Sequence, residues 1–176
     1  MVRYTVVFAS FLLSACAPAP VGDGAKAAGT PRFGQDWSVT FDLNSWGRPM
    51  AHWIVRADGT GELWKAPGVS HNFSEYDLEK YRLQMDATAM AKFVEVSEPL
   101  KAATRDEVKC ETTVTDAPYG TMTWINGKDV HRYQFNFGCT SAPADVVYER
   151  IGEAQDVVNK LARIDAEPYA VEHIGR

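Results

Sequence analysis

Hydrophobic and polar residues alternate along several short stretches of this chain, which is the pattern of a β-strand with one buried face. In residues 37–43, tryptophan, valine, phenylalanine and leucine occupy every second position. Further stretches of this kind predict strands at residues 52–57, 61–65, 80–85, 108–115, 121–125 and 128–137.

The second and third of these strands flank Asp58-Gly59, a dipeptide typical of tight hairpins because its residues tolerate positive φ. A two-residue loop would place Trp53 opposite Trp64 and would leave large apolar groups on both faces of the hairpin. A three-residue loop would shift this register, so both pairings stay open.

Asn126-Gly127 gives the strongest hairpin signal in the chain. A two-residue turn there places Met122 opposite His131. This register gathers the apolar side chains of both strands on one face, and the agreement between turn and alternation favours the hairpin.

Two stretches carry hydrophobic residues at steps of three and four, which predicts amphipathic helices. The first covers residues 87–97, begins after Asp86 as the N-cap and is expected to end before Pro99. The second covers residues 143–164 and begins with a proline, which suits the first turn of a helix.

These elements predict an α+β domain over residues 36–165. We expect an antiparallel, hairpin-rich sheet of about five to seven strands, with two helices packed on one face. Residues 166–176 are predicted to be a polar C-terminal tail. The hydrophobic content of 45% is typical of a folded domain.

The N-terminus carries an apolar run at residues 4–13 that is too short to span a bilayer and is typical of a secretory signal. The segment 13–16, Leu-Ser-Ala-Cys, resembles the lipobox of bacterial lipoproteins. The resemblance implies that residues 1–15 are a signal peptide and that Cys16 carries acyl chains. Ala17, at the second mature position, implies the outer membrane, with the domain facing the periplasm. The alternative is an ordinary signal peptide with a chance cysteine.

Residues 17–35 are rich in proline, glycine and alanine and lack apolar periodicity, which predicts a flexible tether between Cys16 and the domain. The formal net charge of the chain is -5, and no basic tract is present. This balance argues against nucleic acid and against anionic lipid headgroups as partners. The expected contact with the membrane is therefore the lipid on Cys16.

Lipidation of Cys16 would leave Cys110 and Cys139, which in an oxidising envelope are most simply a disulfide. The alternative is a pair of buried free thiols. A metal site is not predicted, because two thiolates without a nearby histidine pair lack the usual four-ligand spacing.

No catalytic motif is present: the chain lacks Gly-x-Ser-x-Gly, His-Glu-x-x-His, Cys-x-x-Cys and Walker sequences. No catalytic residue, metal or cofactor is predicted. An enzyme would need convergent titratable groups, and the candidates are His52, His131 and Asp116. Asp116 is also expected to cap its own turn through its side chain.

Four tryptophans fall early in the folded part, which suggests either a large core contribution or an exposed surface. Trp46 lies in a glycine- and proline-containing loop. On the second interpretation Trp46, Trp53 and Trp64 form a binding surface for a protein or a glycan.

Five motifs follow one another after residue 36: Asp58-Gly59, residues 81–94, Thr115-Asp116-Ala117-Pro118, Asn126-Gly127 and residues 143–164. Their order is similar to that of a family of small bacterial domains of unknown function found on envelope lipoproteins. The resemblance implies an α+β fold and supplies no reaction. Cys110 and Cys139 are not part of that pattern.

The sequence therefore predicts a lipid-anchored envelope protein and favours a non-enzymatic module that binds a protein or a cell-wall component such as peptidoglycan. Two alternatives stay open, an envelope hydrolase or cell-wall-modifying enzyme and a purely structural lipoprotein.

Overall fold

The computed structural model describes residues 36–69 and 73–175 of the chain. This part has an α+β fold, which confirms the predicted class. The strands are β1 (Trp37–Ser45), β2 (Arg48–Arg56), β3 (Thr60–Lys65), β4 (Tyr76–Gln84), β5 (Thr112–Thr113), β6 (Tyr119–Asn126), β7 (Asp129–Asn136), β8 (Cys139–Thr140), β9 (Arg163–Ile164) and β10 (Ala170–Ile174), and the helices are α1 (Ala87–Ala103) and α2 (Ala142–Leu161).

Eight strands form one antiparallel sheet in the order β10-β4-β3-β2-β1-β6-β7, and β9 also pairs with β4. The remaining strands, β5 and β8, pair with each other in a small second sheet. The main sheet therefore has one strand more than the upper predicted number. β1 lies between β2 and β6, so the longest hydrophobic alternation occupies the middle of the sheet.

One face of the sheet carries both helices and the hydrophobic core, as predicted. Phe93 of α1 contacts the rings of Trp37 and Trp53, and the indole N–H of Trp124 donates to Ser97 Oγ at 3.0 Å. The stripe predicted for α2 is buried along its middle, but Val146 and Leu161, which were expected in it, are exposed. The fully buried residues of α2 are Ala144, Val147, Ile151, Ala154 and Val158.

The hairpin between β2 and β3 has the three-residue loop. Trp53 lies opposite Leu63, and His52 lies opposite Trp64. A shift of one residue reverses the faces, so Trp53 and Trp64 lie on opposite sides of the sheet. The two-residue register is therefore wrong. The loop ends at Gly59, whose φ is +79°.

The hairpin between β6 and β7 is confirmed, but its register differs from the expected one. Trp124 lies opposite His131, and Asn126 lies opposite Asp129. The two loop residues are thus Gly127 and the lysine after it, with a positive φ at Gly127. This turn moves the register by two residues, so the predicted faces stay the same while the pairs change.

Helix α1 continues past Pro99, so the expected end there is wrong. Asp86 caps the start as predicted, because its Oδ1 accepts from the Ala89 N–H at 2.8 Å. Pro99 is exposed, which leaves the unpaired carbonyl of the preceding turn near solvent. The next residue, Leu100, is fully buried, and this burial stabilises the extra turn.

Two other segments differ from expectation. Residues 108–115 form only the short strand β5 instead of one long strand. The segment predicted as a polar tail contains β10, which pairs with β4 from Lys80 to Tyr76. Polar composition did not predict this strand because β10 lies at the sheet edge and is mostly exposed.

The predicted disulfide between Cys110 and Cys139 is present. The signal peptide, Cys16 and the tether lie outside the described residues, so these expectations stay predictions. In the described part, neither helix is long and apolar enough to cross a membrane.

Candidate functional site

The structure separates the three tryptophans that the second interpretation placed on one binding surface. Trp46 is 66% exposed, whereas Trp53 is 2% exposed. The assignment of Trp53 to a binding surface is wrong, because the observed register turns it toward the helices. Trp64 is partly buried on the other face, where its ring centroid lies 4.3 Å from that of His52 and 4.3 Å from Nζ of Lys80.

Trp46 occupies the tip of the hairpin between β1 and β2. Ser45 pairs with Arg48, so Trp46 and Gly47 form a two-residue loop. Their φ values are +51° and +77°, as a type I′ turn requires. Asparagine, aspartate or glycine is usual at the first position, and the left-handed conformation costs other residues about 1–2 kcal/mol. The fold therefore holds a large aromatic side chain in solvent at a conformational cost.

Asp116 shares both this backbone property and this location. In the described part of the chain, Trp46 and Asp116 are the two non-glycine residues with positive φ, and φ of Asp116 is +69°. Both line one cavity of about 310 Å³. Residues held in sparsely populated conformations cluster at binding and catalytic sites. The other residues that line this cavity are Thr113, Val114, Thr115, Ala117, Tyr119 and Asn136.

An exposed apolar patch surrounds the turn. Val114 is 56% exposed and Tyr119 is 41% exposed. The Tyr119 hydroxyl accepts a hydrogen bond from the Gly47 N–H at 3.1 Å, which ties the ring to the Trp46 turn. We refer to Trp46, Val114, Asp116 and Tyr119 as the Trp46 surface.

The disulfide fixes the loop that forms one wall of this surface. Thr113 lies opposite Cys139, and the Val114 N–H donates to the Gly138 carbonyl at 2.7 Å. A Cβ on Gly138 would lie 2.1 Å from the Val114 carbonyl oxygen, so only glycine permits this approach. Cys110, three residues before Thr113, forms the disulfide with Cys139. This bond anchors the loop covalently.

A second cavity of about 430 Å³ adjoins the first, because Tyr119 and Asn136 line both. Its wall includes Tyr133, Tyr148 and the disulfide. The Tyr148 hydroxyl donates to the Asn136 carbonyl at 2.6 Å. Other residues of the wall are Asn44, Val108, Gly120, Thr121, Gln134 and Phe135.

Tyr133 and Tyr148 of the second cavity stay protonated at neutral pH. Burial, and then the neighbouring Tyr148, raise the pKa of Tyr133 to about 12. Burial, and then Asp145, also raise the pKa of Tyr148. Both hydroxyls are thus neutral hydrogen-bonding groups rather than acids or bases under physiological conditions.

The three residues on which an enzyme hypothesis depended do not converge. His52 lies on the uncovered face of the sheet, with Nδ1 2.7 Å from Asp42 Oδ1. His131 lies on the helix face, with Nε2 2.9 Å from Thr104 Oγ1. Asp116 lies in the loop beside Trp46. The cluster of His52, His131 and Asp116 that the enzyme alternative would need does not form.

The His131 side chain packs against Trp124 and pairs with Thr104. Its ring lies beside Trp124, and its pKa is lowered by burial first and then by the charges of Lys101 and Arg105. In residues 36–69 and 73–175, no group of three histidine, cysteine, aspartate or glutamate side chains is arranged to hold a metal ion.

The sequence pointed to only part of this site. Trp46 was identified, but Val114 was treated as a strand residue, Tyr119 was placed between two predicted strands, and Asp116 was expected to cap its turn. Within the described part, the Asp116 carboxylate accepts no hydrogen bond, so the expected cap is wrong. The positive φ at Trp46 has no signal in the sequence, because tryptophan is not a residue that type I′ turns favour.

No known protein family and no curated protein sequence matches this chain. The interpretation of the site therefore depends on its own geometry.

Proposed function

We propose that this protein is a lipid-anchored lipoprotein of the outer membrane, facing the periplasm, and that its domain is a non-enzymatic binding module. The Trp46 surface is the binding site, and its partner is a protein or a cell-wall component. The lipid on Cys16 is the expected anchor.

One observation carries the binding proposal: Trp46 is largely exposed while its backbone is held in a conformation that tryptophan disfavours. A turn selected only for stability would have asparagine or glycine there. Conflict between local preference and structure is expected mainly at functional sites. Exposed tryptophan and tyrosine are also the side chains enriched at binding hot spots.

The position of the site agrees with a tethered module. The chain enters the domain at Trp37, and β1 runs from there to Ser45, next to Trp46. A strand of nine residues spans roughly 30 Å. The Trp46 surface thus lies at the end of the sheet away from the attachment of the tether, where it can reach a partner while the lipid holds the protein.

The anchor is tested by fractionation of cells that express the Cys16→Ala protein. We expect the protein to leave the membrane fraction, because it lacks the acylated thiol. The Ala17→Asp protein is the matched control, since in the resembled family it should stay in a membrane but move to the inner one. Continued membrane association of Cys16→Ala would contradict the anchor.

The binding site is tested by photo-crosslinking in cells. A photoreactive phenylalanine analogue replaces Trp46 in one strain and Tyr169, an aromatic residue that is also exposed but lies far from the site, in another. We expect a discrete adduct from position 46 that is lost when Tyr119→Ala is added, and none from position 169. No adduct at position 46, or equal adducts at both positions, would refute the binding site.

A further inference from the structure

The two adjoining cavities are almost free of charge. Among the described residues that line them, Asp116 is the only charged one. The chain as a whole contains 23% charged residues, so this lining differs from the average surface. A site with so few charges selects against ligands that depend on ion pairs.

The uncharged lining is rich in aromatic rings and hydrogen-bonding groups. The four aromatic residues that bear a polar atom are Trp46, Tyr119, Tyr133 and Tyr148. Side-chain amides are contributed by Asn44, Gln134 and Asn136, and hydroxyl groups by Thr113, Thr115 and Thr121. Such a surface offers apolar ring faces together with neutral donors and acceptors.

Several of these polar groups are unused within the described part. The side chains of Asn44 and Gln134 make no hydrogen bond there. Asn136 Oδ1 accepts from the Gly138 N–H at 2.9 Å, which fixes the amide orientation and leaves its NH₂ group available. The site thus presents directed neutral donors next to exposed rings.

We propose that the adjoining cavities bind a glycan strand of the cell wall. Sugar rings expose C–H groups on their faces, which pack on aromatic rings, and neutral hydroxyl or amide groups at their edges, which pair with side-chain amides and hydroxyls. In this arrangement Trp46 covers the face of one sugar ring, Asp116 accepts hydroxyl hydrogen bonds, and the amides of Asn44, Gln134 and Asn136 contact the next part of the strand. This inference rests on the proposed function and names its ligand class.

A protein partner fits these observations less well. Protein interfaces are enriched in arginine at their hot spots, and their rims carry complementary charges. In the described part, no arginine or lysine lines either cavity. Their volumes of about 310 and 430 Å³ fall within the range of small-molecule sites, about 300–1,000 Å³, rather than that of a flat protein interface.

The test uses the full-length lipoprotein in a zwitterionic detergent without sugar groups. The soluble probe is a tetramer of N-acetylglucosamine, and binding is followed by calorimetry and by tryptophan fluorescence. Trp46 is the informative fluorophore, since Trp37, Trp53 and Trp124 are buried and Trp64 is partly buried beside Lys80. We expect saturable binding with a blue shift of the emission, and an affinity that changes less than about twofold between 50 and 500 mM salt.

Variants locate the binding. Trp46→Ala should weaken it at least tenfold, or about 1.4 kcal/mol, whereas Trp46→Phe should retain most of it and lose the fluorescence change. Tyr169→Ala is the control and should bind as the native protein does. Circular dichroism and the unfolding midpoint confirm that each variant is folded. Isolated peptidoglycan sacculi should sediment the native protein but not the Trp46→Ala protein.

No binding of the tetramer and no sedimentation with sacculi would overturn the glycan proposal. If photo-crosslinking at position 46 then yields a discrete protein, the binding module stands and only its ligand class was wrong. If position 46 also yields no adduct, the proposed function fails as well. Binding that is equal in native and Trp46→Ala proteins would place the ligand elsewhere and would likewise overturn this site.

Discussion

The two ends of the main sheet differ in how well their turn residues suit the backbone conformation. At the end that contains the β2–β3 loop, each residue matches the turn it occupies: Asp58 Oδ1 accepts from both the N–H and the hydroxyl of Thr60, at 2.9 and 2.7 Å. These bonds, led by the hydroxyl, lower the pKa of Asp58. Gly59 supplies the positive φ, and its carbonyl accepts from the Met85 N–H at 2.9 Å.

The opposite end, around Trp46, breaks these preferences. A tryptophan occupies the position that favours asparagine, and a disulfide and a glycine contact hold the neighbouring loop. The two ends also differ in charge. A cavity of about 440 Å³ near Asp58 has five charged residues among its nine described lining residues, whereas Asp116 is the only charged one in the cavities near Trp46.

This difference separates an end whose residues suit their turns from an end that holds an exposed aromatic surface. At the Asp58 end, each residue suits its position in the turn, and the Asp58 carboxylate is hydrogen-bonded. At the Trp46 end, the backbone carries conformational strain that the disulfide and core packing offset. A site of this kind is expected to tolerate changes that relieve the strain, and to lose binding when they are made.

Removal of the disulfide should have the largest effect. The cysteines are 29 residues apart in the chain, and closing a loop of that length stabilises a fold by about 3–4 kcal/mol. We expect Cys110→Ala/Cys139→Ala to lower the free energy of unfolding by that amount in urea denaturation. Hydrogen exchange should show lost protection around Val114 and retained protection at Thr60.

The comparison between the ends gives the control for this experiment. Native protein treated with a reductant should reproduce the double variant. A loss below about 1 kcal/mol, or an equal loss of protection at Thr60 and Val114, would show that the disulfide does not act mainly on the Trp46 end.

A matched pair of glycine substitutions should separate the two turns. In Gly59→Ala, a Cβ would lie 2.5 Å from the Met85 carbonyl oxygen at a φ of +79°, so a loss of about 2–3 kcal/mol is expected. In Gly47→Ala, φ is +77° but nothing lies within 4 Å, so strain alone gives about 1 kcal/mol. Urea denaturation of both variants with unchanged m-values measures the difference.

Equal losses for the two alanine variants would show that backbone strain, rather than crowding, dominates at both turns. A larger loss at Gly47 than at Gly59 would contradict the view that the Asp58 end is the more tightly constrained one.

Sequence pattern predicted the elements better than their pairing. Alternation at residues 37–43 identified β1, and the Asn126-Gly127 signal identified the hairpin of β6 and β7. The β2–β3 hairpin has a three-residue loop, and the two-residue loop of the β6–β7 hairpin lies one residue later than expected. Both differences arise because the turn that forms depends on φ values that a dipeptide does not determine. A one-residue shift moved Trp53 into the core, whereas a two-residue shift left the faces near His131 unchanged.

Tertiary contacts explain the other differences. Pro99 did not end α1, because burial of Leu100 outweighs the missing hydrogen bond. β10 formed from a polar segment because the edge of β4 offered unpaired backbone groups. Of the candidate site, the sequence indicated Trp46 and the disulfide. It did not indicate that Asp116 and Tyr119 meet Trp46, since this depends on the pairing of β1 with β6.

Relief of the strain at the Trp46 turn should have a small effect on stability. In Trp46→Asn, the preferred turn residue regains about 1–2 kcal/mol, while the contacts of the largely exposed indole are lost. We expect the two changes to offset each other to within about 1 kcal/mol, as measured by the unfolding midpoint. Glycan binding should nevertheless be lost. A destabilisation above about 2 kcal/mol would instead identify Trp46 as a structural residue.

Alkaline pH should also distinguish the two ends of the sheet. The pKa of Tyr133 is raised to about 12 in the folded protein, whereas an unfolded tyrosine titrates near 10. The unfolded state therefore loses its proton first, and stability falls as pH rises from about 10 toward 12. In Tyr133→Phe, stability should fall less steeply with pH above about 10 than in the native protein. At pH 7–9, stability should depend on pH as it does in the native protein.

Tyr169, at the Asp58 end, is 44% exposed, and its raised pKa is due first to desolvation and then to Glu62. Tyr169→Phe should change the slope less, so an equal or larger change in that variant would contradict the deeper burial of tyrosine at the Trp46 end.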